Sequence, residues 1–544
     1  MAKWNAVLAC LLLAASVACS ATHASGSRRA RVFTIGQQQE PISLNPALEN
    51  GQRSTEWGEL LFSYLVKYDD RGKLVGDVAL EVPSLQNGGI AKDGTTIVYH
   101  LRHDVRFADG VKLTARDCVW SIDAVNSPAN NVQTRYGYDV IARARAVGDY
   151  TLVLALKHPF ASILSSVLAP QGFPILPEHL LARYPDFNRL DFNQAPIGSG
   201  PYVVDAWHRG DDVEMHANPY YFLGTPKISK LVVRFIPDPQ EATNKLVTHE
   251  IQAYFNEQDY SQYPALKALE GYYVLNTPVS AVGALVFNTQ HGVTGDAKTR
   301  RALAEAIDIG SLVAKSYRGA LQSSGAARGL FLWAYSPRTY PDLKYDPKSA
   351  RRLLEEDGWK LDGGVRRRGD RKLQLDLAIP AGVAGDAIAA NDIAQYERAV
   401  GAQVSIKAYN VTQFGAPAQL GGPVYGGRFD LALYSFVNGD DPDTSDQFAC
   451  ADIPPNGYNK SRICDRSVDR LLREGRSTYD ASQRRTVYAR LQGRLHDDLP
   501  IVPIYQRREL DVFSDDVWGP SGSIDSVFWN VSGWSLRRSK ATGV

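Results

Sequence analysis

Apolar positions along this chain follow two different spacings, which predict strands and helices in alternation. Residues 97–101 and 231–236 are short runs of strand-forming side chains. In residues 300–313 the apolar positions recur at helical spacing, and residues 480–498 have one apolar and one polar face. A helix start is also predicted at Asp346-Pro347, where an Asx cap precedes a proline at the first helical position. This alternation is typical of an α/β protein.

The N-terminal segment has the pattern of an export signal. Lys3 is the one charge ahead of an apolar run at residues 6–18, which is shorter than the about 20 residues that span a membrane. The end of the signal has two interpretations. Cys19 follows a sequence that partly resembles a lipobox, where the cysteine is acylated, whereas the small residues up to Ala24 suit ordinary cleavage. We therefore expect a signal peptide at residues 1–24 and a protein exported to the periplasm or to the outer face of the cytoplasmic membrane.

Length and charge narrow the class of protein further. A chain of 544 residues exceeds one ordinary core and implies two or three domains. Apolar residues make up 44% and charged residues 22%, as in globular proteins. Lysine and arginine number 60 against 59 acidic residues, which gives a net charge of +1. This balance argues against nucleic acid or an anionic membrane surface as the main partner.

Two cysteines near the C-terminus form a candidate disulfide. Cys450 and Cys464 would lie in a compartment where disulfides persist. Closing a loop of about 15 residues would contribute roughly 3 kcal/mol to stability through the unfolded state. We predict this disulfide in preference to two free thiols. Cys118, within a predicted helix, is expected to be a small buried apolar residue.

No catalytic constellation is visible in the sequence. It has no Gly-x-Ser-x-Gly elbow, no phosphate-binding loop and no Cys-x-x-Cys pair, and His249-Glu250 lacks the second histidine of a zinc protease. The acidic cluster of Asp440, Asp441, Asp443 and Asp446 lacks the glycine and terminal glutamate of an EF-hand, so we interpret it as turn chemistry around a proline. We predict a binding protein without catalytic residues, metal or cofactor.

One motif and several shorter segments carry a family resemblance. Residues 92–117 combine a strand, a tight Asp-Gly turn and a threonine-capped helix start. This motif resembles the signature of the extracellular solute-binding proteins of family 5, the peptide, oligopeptide and nickel receptors of ABC importers. Further similar segments follow in the expected order, at residues 43–46, 175–179, 196–202, 218–221, 287–289, 301–308, 345–347 and 499–505.

The resemblance implies a two-lobed periplasmic-binding-protein fold of the large three-domain type. Ligand would sit in a cleft between the lobes, and hinge closure would trap it. Two segments, near 284–288 and 500–505, are expected to cross between the lobes. The expected divisions are lobe I at 31–58, 185–284 and 500–544, a subdomain inserted in it at 59–184, and lobe II at 285–499.

The implied function is capture of di- or oligopeptides outside the cytoplasmic membrane. The receptor, expected to be a monomer, would deliver them to the permease of an ABC importer, whose ATPase subunits hydrolyse ATP. A receptor of the same fold for another solute, such as a nickel chelate, haem, an opine or an oligosaccharide, is the main alternative. A secreted hydrolase and an exported chaperone or adhesin are the competing classes.

The resemblance also implies where ligand is held. In peptide-binding relatives an aspartate of the second lobe binds the α-amino group of the peptide. We place Asn438 at that position, and an uncharged amide weakens the interaction about tenfold unless Asp440 or Asp441 replaces it. The other lobe would contribute Glu40, and aromatic side chains would form the walls. The predicted ligand-binding set is Glu40, Tyr434, Phe436, Asn438, Gly439, Asp440, Asp441, Tyr458 and Tyr505.

Overall fold

The computed structural model describes residues 32–49, 52–170, 172–257 and 260–537, so the predicted signal peptide and Cys19 lie outside the described residues. The strands within these ranges are β1 (Val32–Gln37), β2 (Val66–Tyr68), β3 (Leu74–Gly76), β4 (Thr96–His100), β5 (Ile141–Ala146), β6 (Thr151–Leu156), β7 (Tyr202–His208), β8 (Asp212–Ala217), β9 (Lys230–Phe235), β10 (Ala253–Glu257), β11 (Tyr272–Phe287), β12 (Lys360–Asp362), β13 (Val365–Arg368), β14 (Arg371–Lys372), β15 (Gln374–Pro380), β16 (Gln403–Tyr409), β17 (Leu431–Val437), β18 (Ile501–Ser514), β19 (Val517–Trp518) and β20 (Ser535–Leu536).

The α-helices within the same ranges are α1 (Gln52–Leu61), α2 (Ala115–Asn126), α3 (Ile163–Ser166), α4 (Glu178–Leu181), α5 (Pro239–Val247), α6 (Tyr263–Lys267), α7 (Ala297–Glu305), α8 (Ile309–Ser316), α9 (Arg328–Phe331), α10 (Pro347–Glu356), α11 (Ala384–Ala399), α12 (Val411–Phe414), α13 (Ser445–Phe448), α14 (Arg466–Ser477) and α15 (Ala481–Asp498). Strands β4 and β9 and helix α15 confirm three of the elements predicted from apolar spacing.

Side-chain caps determine where several helices begin. The predicted start of α10 is confirmed: Asp346 accepts hydrogen bonds from the backbone N–H groups of Lys348 and Ser349, at 3.0 and 2.9 Å. The helical spacing in 300–313 belongs to two helices rather than one. Asp308 interrupts it and caps α8, because its carboxylate accepts from the N–H of Ser311 at 3.0 Å.

A single ten-stranded mixed sheet runs through the molecule. Its strand order is β16-β15-β17-β11-β18-β10-β1-β9-β8-β7. The two long strands β11 and β18 are antiparallel neighbours at its centre, and they connect a β15–β17 half with a β1, β7–β10 half. They overlap both segments that were predicted to cross between lobes. The lobe boundaries themselves stay a prediction.

Residues inserted between β1 and β7 form a smaller α/β unit. It contains the antiparallel sheet β4-β6-β5, helix α2 and the hairpin β2–β3. Its core is continuous with that of the β1 half of the main sheet, since Ile97 and Leu152 belong to the same buried cluster as Phe33 and Trp57. The β15–β17 half has separate cores. The inserted unit therefore packs on one half of the main sheet and stands beside the crossing strands.

The cysteines occupy two different settings. Cys450 and Cys464 are joined by a disulfide that closes a loop ahead of α14. Cys118 is a free, fully buried thiol in α2, which confirms its prediction as a small apolar residue.

Candidate ligand-binding cleft

The pairing of the two crossing strands shifts register at two points, and the longer irregularity lies at residues 279–281 of β11. Pro278 pairs with Arg508 and Val282 pairs with Gln506, so residues 279–281 of β11 stand opposite Arg507 alone. Such bulges redirect side chains and occur often beside functional sites. The irregular backbone is held in place, because the Gln506 side chain donates a hydrogen bond to the Val279 carbonyl at 3.1 Å.

A cavity of about 140 Å³ opens at this bulge. Its walls come from the start of α1, the inserted unit, both crossing strands, the end of β17 and a C-terminal segment. The lining residues are Glu49, Ser54, Thr55, Gln133, Thr134, Pro170, Gly172, Phe173, Val279, Ser280, Ala281, Val437, Asn438, Arg507, Ile524 and Asp525. The cavity therefore lies between the two halves of the main sheet, where a hinged receptor holds its ligand.

Three charged residues line this cavity. Glu49 is 1% exposed, and its carboxylate accepts hydrogen bonds from the backbone N–H groups of Ile42 and Ser43. Asp525 is 2% exposed. Arg507 is half-buried, and it is the one cation among the described lining residues.

Buried carboxylates lie close to the cleft on α1 and β18. Burial raises the pKa of Glu56 to about 8, and the negative charge of Asp511 adds to the rise. The charge of Arg53 and a hydrogen bond from Gln37 partly oppose it. Burial also raises the pKa of Glu509 well above its ordinary value, with further contributions from Asp511 and Glu56. These groups therefore favour their neutral forms near pH 7.

Asn438 lines the cleft, but its side chain is used within the protein. Its Nδ2 donates to the carbonyl of Gly329 in α9, and its Oδ1 accepts from Gln447. Its backbone N–H donates to the Ser280 carbonyl at 2.7 Å. Both ends of the amide thus hold the end of β17 in place. In this structure the Asn438 amide is already bonded within the protein at both its nitrogen and its oxygen.

The neighbouring acidic residues connect parts of the protein instead of lining the cavity. The Asp440 carboxylate accepts from the Ser280 hydroxyl at 2.8 Å, and its carbonyl accepts from the Tyr68 hydroxyl at 2.8 Å. Gly439 is exposed and lies outside the cavity lining. Neither Asp440 nor Asp441 belongs to the cavity lining, and their role as ligand anchors stays a prediction.

Asp441 forms a buried ion pair within the β15–β17 half and also bonds the inserted unit. The Arg484 guanidinium of α15 donates to both of its oxygens, at 2.7 and 2.5 Å, and Ser162 of the inserted unit donates at 3.0 Å. The side chains of Arg484 and Asp441 are only 6% and 13% exposed. The negative charge of Asp441 keeps the pKa of Arg484 above its usual value despite burial.

Asp443 makes a second bridge of the same kind. Its Oδ2 accepts from the Tyr136 hydroxyl at 2.7 Å and from Nε of Arg476 at 2.9 Å. The Arg476 carbonyl in turn accepts from the N–H of Ala161 at 2.7 Å. We call these two bridges, formed by Tyr136, Ser162, Asp441, Asp443, Arg476 and Arg484, the closure contacts. They join the inserted unit to the β15–β17 half, so the interpretation of this acidic cluster as turn chemistry alone was incomplete.

The predicted aromatic walls surround a lysine of the protein. The ammonium of Lys460 lies 4.5 Å from the ring centre of Tyr434, 4.9 Å from that of Tyr458 and 5.7 Å from that of Phe436. Tyr425 contributes a fourth ring at 4.8 Å. Burial lowers the pKa of Lys460 to about 8, and cation–π contacts stabilise its charged form. None of these rings belongs to the cavity lining.

Glu40 and Tyr505 also lie outside the cavity lining. Glu40 accepts from the Trp207 indole at 3.0 Å and from the N–H of Gly210 at 3.2 Å, at the turn between β7 and β8. Tyr505 is 9% exposed and packs edge-to-face on Tyr317, with ring centres 4.6 Å apart. Of the predicted ligand-binding set, Asn438 alone lines the cavity.

Sequence reasoning missed most of the polar lining. The hydroxyl and amide groups of Ser54, Thr55, Gln133 and Thr134 come from loops and a helix start that carry no distinctive motif. Arg507 shares its crossing strand with Arg508, Glu509 and Asp511, so no sequence signal singled it out.

One cluster of metal-type ligands lies elsewhere on the described surface. His208, Asp212 and Glu214 bring ligand atoms within 4.8 Å of one another on β7 and β8. Lys230 bonds Glu214 at 2.6 Å, and Arg234 lies 3.8 Å from Asp212. These cations already balance the carboxylates, so the cluster is explained as a charged ladder on the sheet.

Comparison with known proteins assigns the chain to a family. The family model of the bacterial extracellular solute-binding proteins, family 5 (middle region), matches residues 74–454. The chain therefore belongs to this family of solute-binding receptors, which confirms the resemblance and the two-lobed α/β fold inferred from sequence. No helix in the described ranges combines the length and apolar character that crossing a membrane requires.

Individual relatives cover nearly the whole chain. The oligopeptide-binding protein AppA of Bacillus subtilis is 24% identical over 93% of this chain and 92% of its own length. A probable di/tripeptide-binding protein of Pseudomonas aeruginosa is 28% identical, with 93% of each chain covered. The crystal structure of NikZ from Campylobacter jejuni in complex with Ni(L-His) is 26% identical, covers 93% of this chain and 99% of its own, and superposes with a TM-score of 0.74.

The pH dependence of the protein's stability should reveal the raised pKa of Glu56. Its pKa rises from 4.5 to about 8 on folding, so the folded protein keeps a proton that the unfolded chain releases. The stability from this group is fully present below about pH 4.5 and is lost as the pH rises through about 8. Glu56→Gln should therefore reduce the loss of urea resistance between pH 5 and pH 8.5. Glu356→Gln, at an exposed site, is the control, and an equal loss in the wild type and Glu56→Gln would refute this assignment.

The closure contacts should control how easily the cleft opens. Asp441→Asn leaves Arg484 buried without its carboxylate, and breaking a buried pair typically costs about 3–5 kcal/mol. It also weakens the acceptor of the Ser162 hydrogen bond, which joins the inserted unit to the β15–β17 half. We expect a larger radius of gyration by small-angle X-ray scattering and ligand affinity weakened by about tenfold or more, because less of the protein is closed.

The control for this variant is Glu474→Gln, which removes the exposed pair between Arg490 and Glu474 of α14. This substitution should leave both quantities unchanged. If Asp441→Asn keeps the wild-type scattering profile and affinity, the closure contacts do not determine the closed form.

Proposed function

We propose that this protein is an exported receptor of an ABC importer that captures short peptides in the cleft at the bulge of β11. The observation that carries the proposal is the cavity between the two halves of the sheet, which the closure contacts bridge. An enclosed site of this kind suits a receptor that releases ligand only when its lobes separate.

The cavity chemistry suits peptides as a class. Hydroxyl, amide and backbone groups dominate its polar lining, and such groups recognise a peptide backbone without requiring one side-chain sequence. Two relatives that span nearly the whole chain are named for binding oligopeptides or di/tripeptides. The second candidate is a metal complex of an amino acid, which is supported by the likeness to NikZ in complex with Ni(L-His).

The remaining features of the proposal follow from this role. The N-terminal segment directs export, with or without acylation of Cys19, and the receptor works as a monomer outside the cytoplasmic membrane. A permease and ATPase subunits are its partners. Lobe I, the inserted subdomain and lobe II have the boundaries given above, and the protein binds its solute without transforming it.

Mass spectrometry of the ligand that co-purifies with the protein tests this function. Protein isolated from the periplasm is denatured, and the released small molecules are identified. A mixture of short peptides is expected, whereas a single metal complex, opine, haem or sugar would contradict the peptide proposal.

A pair of tryptophan substitutions locates the retained ligand. Val437 lines the cavity and is 67% exposed, so Val437→Trp should block the cavity and abolish the released peptides without disturbing the core. Leu420 is 77% exposed outside the cavity lining, and Leu420→Trp should release the same peptides as the wild type. Equal release from both variants would place the ligand elsewhere.

A further inference from the structure

We propose that Arg507 forms a subsite for a carboxylate, so that the cleft selects ligands with a free carboxylate group, such as the C-terminus of a short peptide. The peptide form of this inference rests on the proposed function. The chemistry of the subsite is the same for any carboxylate-bearing solute.

The position of Arg507 is fixed by its neighbours in the strand. It stands alone opposite residues 279–281 of the bulge, at the point where the cavity opens. On one side Gln506 bonds the Val279 carbonyl, and on the other side the Arg508 guanidinium bonds the Asn276 side chain and carbonyl. A binding group on a backbone held on both sides loses little freedom when ligand arrives.

The charge of Arg507 is the second argument. In the described part of the chain, no carboxylate oxygen lies within the 4.0 Å ion-pair distance of its guanidinium, whereas Arg476 and Arg484 are paired with aspartates. Burial raises the pKa of Tyr260, and the charge of Arg507 and its hydrogen bond with Tyr260 partly oppose that rise, so the positive charge of Arg507 acts in this region. Burial raises the pKa of Glu509 well above its ordinary value, so this neighbour favours the neutral form that leaves the arginine charge in place.

The geometry of the side chain suits a carboxylate. A guanidinium presents a planar fork of N–H donors that binds both oxygens of a carboxylate, and such charge-assisted bonds are about twice as strong as neutral ones. The opposite wall of the cavity discriminates less between a carboxylate and a neutral group. There, Asn438 uses both ends of its amide within the protein, and Ser280 donates its hydroxyl to Asp440. Recognition of a negatively charged group in the cavity therefore centres on Arg507, the one cation among the described lining residues.

A comparison of acids with amides tests the subsite. Ligand-free refolded protein is incubated with a synthetic library of di- to pentapeptides, prepared once with free C-termini and once as C-terminal amides, and the retained molecules are quantified. The amount of free-acid peptide that the wild type retains should exceed the amount of amide by about tenfold or more. A third library, N-acetylated with free C-termini, should be retained within a few-fold of the free acids.

Arg507→Gln should abolish the preference for acids, and Arg507→Lys should keep part of it. Arg490→Gln removes an exposed charge of the same sign outside the cavity and should preserve the full preference. Thermal unfolding of each variant confirms that it folds as the wild type does. Equal retention of acids and amides by the wild type, or an undiminished preference in Arg507→Gln, would overturn the subsite.

A second probe separates this inference from the peptide proposal. Wild type that retains no peptide overturns the proposed function, and the subsite is then tested with Ni²⁺ and L-histidine against Ni²⁺ and histidinamide. Tighter binding of the histidine complex, lost in Arg507→Gln, would support the carboxylate subsite with a different solute. Equal binding of the two complexes, or binding of neither, would overturn it.

Discussion

The antiparallel pairing of β11 and β18 is the constraint on which the rest of the structure depends. These strands are the neighbours that belong to both halves of the main sheet, so every movement of one half relative to the other passes through them. Their one long irregularity, at residues 279–281, combines two effects. It interrupts the regular ladder, which makes this part of the sheet the natural place for bending, and it opens the cavity beside Arg507.

The charged side chains around β11 and β18 fall into three groups. In the closure contacts, two arginines pair with largely buried aspartates that also accept hydrogen bonds from the inserted unit. The carboxylates of Glu56 and Glu509 are buried and favour their neutral forms, because desolvation dominates their pKa values. Arg507 lies at the edge of the cavity, where a ligand can supply its counter-charge. A receptor built in this manner is stable when closed and still selective for what it encloses.

The sequence carried most of the information on the fold and little on the site. Local spacing predicted the strands near residues 97 and 231, and capping chemistry predicted the helix start at Asp346, because both depend on near neighbours in the chain. The two-lobed architecture followed from the family motif. The cavity is assembled from segments as distant as Glu49, Gln133, Asn438 and Arg507. Counting from a motif found Asn438, but no local pattern shows that its amide bonds Gly329, or that the rings near it enclose Lys460.

A crystal structure of the protein with a peptide that it retains on purification is the most direct test of the account. The account predicts the peptide in the cavity at residues 279–281, with its terminal carboxylate within hydrogen-bond distance of the Arg507 guanidinium and the closure contacts intact. A peptide bound outside this cavity, or one whose carboxylate lies away from Arg507, would contradict it.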